Sequence, residues 1–240
     1  MKTYLSIVMY LFMTLSISAQ IDRSVIPLPG PAPQIQLGEV KTFSLDNGLK
    51  VLIVENNKLP HAYASLVLDN YPDFEGKIKG VSSLTSSLMG NGTKSISKDA
   101  FNEEIDFMGA NLSLNTNGGN ISSLIQFFPR MLELMAESLI NPLLDEDEFY
   151  KEKQKLLDNI KSNKKNVQIV ANRVKNKLSY GAKHPFGEFL SEKTVSKVKY
   201  KHAVEYFDTF VKANNAYLVI IGDVVYEDIK TTITTLFSKW

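Results

Sequence analysis

The 240-residue chain contains no cysteine. That absence removes disulfides, thiolate nucleophiles and cysteine-based zinc sites together. It does not fix a compartment, since many exported proteins fold without disulfides. Histidine is nearly as scarce. His61, His184 and His202 are the only three, and none has a second histidine at ligand spacing. Surplus charge is missing as well. The 27 Lys and Arg against 26 Asp and Glu leave +1, so the whole-chain sum carries no electrostatic footprint for nucleic acid or an anionic membrane. No G-x-x-x-x-G-K-[ST] phosphate loop occurs. Beyond residue 17, no apolar run approaches the roughly 20 residues that a bilayer span needs.

What remains is ordinary for a globular protein: 44% hydrophobic and 22% charged residues, enough for one or two domains with a core. The N-terminus is more specific. Lys2 precedes an apolar stretch at 4–17 that ends in the small residues Ser16, Ser18 and Ala19. This is the layout of a secretory signal peptide, read here as residues 1–19 with cleavage after Ala19. A cut after Ser18 and an uncleaved anchor helix are the alternatives. Export to the periplasm or cell envelope is the expectation. Residues 20–38 hold Pro27, Pro29, Pro31 and Pro33, a spacing that favours extended chain, and read as a Pro-rich linker.

The folded part spans 39–240. Residues 41–45 and 50–54 flank Asp46-Asn47-Gly48, a strong hairpin signal. Residues 62–68 alternate as a third strand. Residues 79–89 read as a helix, and 98–108 as another, with Ser97 as its N-cap and Gly109 ending it. Two strands, 111–115 and 121–127, join around Asn117-Gly118-Gly119. Helices follow at 129–139, 145–163 and 167–180, with Pro129 in the first turn of the first. His202 falls in a polar helix. Residues 215–221 form a strand and 227–240 a last helix. Basic residues cluster at 151–165 with acids between them, the pattern of a solvated helix face. The order of elements predicts an α+β fold, a mostly antiparallel sheet with helices packed on one face.

The most telling stretch is 80–93, Gly-Val-Ser-Ser-Leu-Thr-Ser-Ser-Leu-Met-Gly-Asn-Gly-Thr. It resembles the motif helix of the insulinase-type M16 zinc peptidases, G-x-A-H-F-x-E-H-x-x-F-x-G-T, with serines at the chemical positions. Phe43-x-Leu45-x-Asn47-Gly48-Leu49-x-Val51, Asn141-Pro142, Tyr180-Gly181-x-x-His184-Pro185-Phe186-Gly187 and Asn215-Ala216-Tyr217-x-Val219-x-x-Gly222-Asp223 resemble further family segments in the family's order. In active members, H-x-x-E-H places two zinc ligands four residues apart on one helix face, with a Glu to activate water. Carried over by position, the first His falls on Ser83, the Glu on Ser86 and the second His on Ser87. The third-ligand position falls on Asn159, with Asp158 beside it, and Glu152 keeps a supporting acidic position.

Hydroxyls and an amide are poor zinc ligands, and none takes a proton from water near neutral pH. The resemblance therefore implies a zinc-free, non-catalytic family member with no cofactor. Its expected partner is an active M16 peptidase subunit. The implied substrate edge, Asn111, Leu112, Ser113, Leu114 and Asn115, could still add an extended peptide through its backbone. Family subunits carry a second domain of similar size, and this chain supplies one. Two other readings stay open: a structural scaffold subunit, and an active zinc endopeptidase with ligands elsewhere. His184 is expected to bond backbone and fix its loop.

Overall fold

The structure, a computed structural model, describes residues 38–240 together with Gly30. Residues 1–19, read above as a signal peptide, and nearly all of 20–38, read as a linker, lie outside the described residues.

Six strands form one sheet. β1 (Val40–Ser44) and β2 (Lys50–Glu55) make the opening hairpin, β3 (His61–Leu68) follows, β4 (Asn111–Asn115) and β5 (Gly118–Leu124) make a second hairpin, and β6 (Ala216–Gly222) comes late in the chain. The spatial order is β1-β2-β6-β3-β5-β4. Every pairing is antiparallel except β2 with β6, which run parallel from Lys50↔Tyr217 to Glu55↔Gly222. The late strand thus slots into the middle of the sheet between two early ones.

Alternation decides the two faces. Val51, Ile53, Ala62, Ala64, Leu66, Ile121, Leu218 and Ile220 are all buried on one face. Against them pack α3 (Phe128–Ile140) and α8 (Tyr226–Phe237), with α2 (Lys98–Phe107) alongside. Met131, Leu132, Leu134 and Met135 of α3 are fully buried, as are Ile233 and Phe237 of α8. A second, smaller cluster joins α1 (Val81–Leu88), α4 (Glu146–Ser162), α6 (Glu192–Val195) and α7 (Tyr200–Phe210) through Leu84, Leu88, Phe149, Val195 and Ala203. The remaining helix, α5 (Val167–Tyr180), has no buried residue. Among the described residues, no helix is long and apolar enough to cross a membrane.

The α+β expectation is borne out, and two elements have ends that shift by three residues. The second hairpin strand occupies Gly118–Leu124, and residues 125–127 form a 3₁₀ turn into α3. Gly118 and Gly119 belong to the ladder, opposite Val67 and Leu66. A Cβ at Gly119 would meet the Ser113 carbonyl oxygen at 2.1 Å, so these glycines serve close strand approach as well as the turn. The last helix ends at Phe237, not at 240. Its last carbonyl is capped from across the fold: Asn47 Nδ2 donates to Phe237 O at 2.7 Å, and to Trp240 O just beyond the helix at 3.0 Å.

Candidate functional site at the serine-bearing helix

Gly80 stands at the N-cap of α1, and its φ of +117° favours glycine; a Cβ there would lie 2.9 Å from Val195 and 3.0 Å from Leu190. Leu84, Thr85 and Leu88 point inward, and Ser83 is exposed. The helix N-terminus is held by a charge network. The Glu75 carboxylate accepts from Gly80 N (2.8 Å), Ser82 N (3.3 Å) and Ser82 Oγ (2.8 Å). Lys79 Nζ donates to Glu75 at 2.7 Å and pairs with Glu188 at 3.1 Å. Glu188 in turn accepts from the amides of Glu75 and Gly76. The two carboxylate side chains are only 3% and 7% exposed. Burial works to raise the Glu75 carboxyl, but the Lys79 ammonium and the Gly80 and Ser82 donors outweigh it and hold it below the usual range. Beside them, burial, with the Glu75 and Asp73 charges, pushes the Tyr206 hydroxyl up to about 12.

The serines follow different fates. Ser86 Oγ accepts from Thr116 N at 3.1 Å and shares a 2.9 Å hydrogen bond with Thr116 Oγ1. Ser87 Oγ donates to Leu84 O of its own helix at 2.8 Å. Thr116 follows β4 directly, so Ser86 ties the helix to the end of that strand. A Cβ at Gly90 would come within 3.3 Å of Leu112 and Leu114. The motif helix therefore lies beside β4, and β4 is a sheet edge with one side unpaired by any described strand. The expected peptide edge and the expected motif helix are neighbours.

The third-ligand segment lies on α4. Asn159 and Asp158 are exposed. Asp158 accepts from Gln154 at 3.0 Å and pairs with Lys161 at 3.4 Å, and the Gln154 bond, then Lys161, holds its carboxyl low. Glu152 pairs with Lys155 at 2.6 Å. These pairs match a solvated helix face along 151–165. Among the described residues, no group of three or more His, Cys, Asp or Glu could hold a metal ion.

The Gly-Thr end of the motif has a role that sequence reasoning did not assign. Gly92 takes φ +119°, with the Ile96 carbonyl 2.9 Å from where a Cβ would stand. Thr93 is buried; its Oγ1 accepts from Ile96 N at 3.0 Å and Ser95 N at 3.3 Å, and donates to Glu137 of α3 at 3.0 Å. Thr93 also bridges Pro142, while Lys94 N donates to Asn141 O and Leu143 N to Gly92 O. Gly92-Thr93 and Asn141-Pro142 form one clamp. His184 behaves as expected of a loop residue: its Nδ1 accepts from Phe186 N at 3.1 Å. His202 Nδ1 likewise accepts from Lys199 N at the start of α7.

This architecture, an edge strand flanked by the motif helix in a mostly antiparallel sheet, is that of an M16 peptidase domain. Residues 52–184 match the family model for insulinase, peptidase family M16, and the chain belongs to that family. Two of the solved structures similar to it illustrate the likeness. A protease from Helicobacter pylori superposes with a TM-score of 0.75 at 20% identity. The M16 inactive domain from Pseudomonas fluorescens superposes with a TM-score of 0.72 at 22% identity. Each alignment covers 84% of this chain and 50% of the other, so this chain spans about half the length of either. No curated protein matches it.

The family's zinc does not fit the residues present. α1 carries no His, Asp, Glu or Cys, the Ser86 hydroxyl is engaged by Thr116, and the Ser87 hydroxyl is engaged by its own helix.

Proposed function

We propose that this chain is a non-catalytic M16 homologue that partners an active M16 zinc peptidase in degrading peptides or proteins in the cell envelope. One observation carries the reading. The position of the water-activating Glu is Ser86, whose oxygen is a structural acceptor for the Thr116 amide. A neutral hydroxyl so engaged supplies neither a base nor a ligand. Two features suit a partner role. Among the described residues, β4 has one edge beside α1 that no strand pairs, suited to an extended peptide. The sheet face away from the helices exposes Val40, Tyr63, Val67, Leu124 and Ile221, an apolar surface of the kind that marks protein contact.

The test combines three measurements on the purified chain. Elemental analysis should find zinc far below one ion per chain. Peptide cleavage should be absent or indifferent to chelator. An affinity-tagged chain expressed in its source cell should retain a protein carrying H-x-x-E-H, identified by mass spectrometry. Stoichiometric zinc with chelator-sensitive proteolysis would refute the non-catalytic reading. Retention of a membrane complex without such a protein would favour the scaffold reading instead.

A further inference from the structure

Residues 159–187 contain seven lysines and arginines and no aspartate or glutamate. The near balance of the whole chain conceals this segregation. α5 lies inside the acid-free stretch, and its amphipathicity is turned outward. A surface helix ordinarily directs its apolar stripe to the core. Here the half-buried positions are Ile169, Arg173 and Asn176, with the Arg173 guanidinium 5.5 Å from the centre of the Phe189 ring. Val167, Val170, Val174 and Leu178 are exposed, the two ends by 81% and 82%. At about 100° per residue they form one ridge, with Lys175 on one flank and Lys177 on the other. Tyr180, the last residue of the helix, and Phe186 beyond it are half exposed and pack edge to face at 5.4 Å. Beside them opens a cleft of about 620 Å³ lined in part by Lys77, Lys177, Lys183, Lys193 and Lys197. Among the described residues, none of these five lysines forms an ion pair.

We infer that α5 docks on an anionic lipid bilayer. Its Val/Leu ridge seats at the headgroup–acyl boundary, and the flanking lysines meet the lipid phosphates. Charge complementarity selects this occupant. A second copy of the helix would bring basic flanks against basic flanks. A partner protein would need a groove matched to a convex ridge and edged by carboxylates. An anionic bilayer needs no such groove, and lysine stems lie along its boundary while their ammonium groups reach the phosphates. A basic amphipathic helix with aromatic residues at its end is the pattern that membrane surfaces take. This inference rests on the fold alone and is independent of the peptidase-partner reading.

The absence of cysteine supplies a local probe. The full chain carrying Ala171→Cys on the ridge, or Thr234→Cys on α8 as control, is labelled with an environment-sensitive nitrobenzoxadiazole dye. It is then mixed with vesicles of phosphatidylcholine alone or with one quarter phosphatidylglycerol. The expected result is a several-fold rise and blue shift at position 171, absent at 234 and absent with phosphatidylcholine alone. High salt should reverse it, and so should Lys175→Glu with Lys177→Glu. Placing the probe on α5 keeps the readout separate from any binding by residues 4–17. No change at 171 with anionic vesicles, or an equal change with neutral ones, would overturn the inference. So would a salt-resistant change. Concentration-dependent association that Leu178→Glu abolishes, without any vesicle response, would assign the ridge to a protein interface and overturn it as well. Far-ultraviolet circular dichroism confirms that each variant is folded.

Discussion

Lys79 sits between two nearly buried carboxylates, and its removal should expose what holds the motif helix in place. In Lys79→Met the side-chain volume is nearly kept while the cation is lost. Glu75 and Glu188 then face each other with amide and hydroxyl donors only. Breaking a buried ion network by removing one partner costs roughly 3–5 kcal/mol, because uncompensated charge is left behind. For a domain of this size that corresponds to a drop in Tm of about 6–20 °C. The pH dependence gives the sharper test. In the native chain Glu75 is held below its ordinary value of 4.5. Its contribution is therefore present above that value and lost as pH falls through the lower folded one. In the variant, burial and the neighbouring carboxylate favour the protonated acid, so acidification relieves the strain. The stability gap between native chain and variant should narrow from pH 7 to pH 4 in urea titrations. A gap below about 1 kcal/mol at pH 7, or one that stays constant with pH, would refute the reasoning.

Other outcomes follow from the same contacts. Thr93→Val keeps the shape but removes the acceptor of the Ile96 and Ser95 amides and one of the donors to Glu137, which keeps Ser95 Oγ; it should cost about 1–3 kcal/mol in urea denaturation with an unchanged slope. Asn47→Ala removes the cap on α8 and should cost about 1 kcal/mol, with faster hydrogen exchange in the last turn. Glu148 is held down to about 2 by Lys151 and Lys98, yet these pairs are solvent-screened, so Glu148→Gln should leave the urea midpoint at neutral pH essentially unchanged.

Much of the fold was legible because local chemistry and tertiary context agree. Asn47-Gly48 forms its hairpin turn, Ser97 caps α2 by accepting from Ala100 N, and the strand alternation at 62–68 matches the burial of Ala62, Ala64, Leu66 and Leu68. The misread parts depend on residues far apart in sequence. Gly118 and Gly119 look like turn residues until Leu66 and Ser113 arrive beside them. Glu188 caps a turn 112 residues away, and nothing local to either marks the pairing. The parallel insertion of β6 beside β2 has no local signature at all. For α5, helical periodicity gives a stripe but not its direction. The inward face is decided by Arg173 meeting Phe189, which only the fold reveals. The four carried-over positions were legible as identities, but not that Ser86 had become a stitch between helix and edge strand.

That last point separates two histories of the serine helix, and a pair of substitutions tests it. If Ser83 and Ser86 are equivalent remnants of a lost site, alanine at either should be neutral. The structure makes them unequal. Ser83 is exposed, and alanine is the better helix former, so Ser83→Ala should be neutral or stabilising by a few tenths of a kcal/mol. Ser86→Ala strands the Thr116 amide and its hydroxyl in a residue only 6% exposed, which should cost about 1–3 kcal/mol. The loss should be local first. Hydrogen exchange should accelerate at Thr116 and along β4 before the core strands β3 and β6 respond. Ser86→Thr, which keeps the acceptor, should restore most of the protection. Equal and negligible effects at both positions would mean that the Thr116 contact carries no weight, and would remove the physical reason for regarding Ser86 as a structural residue.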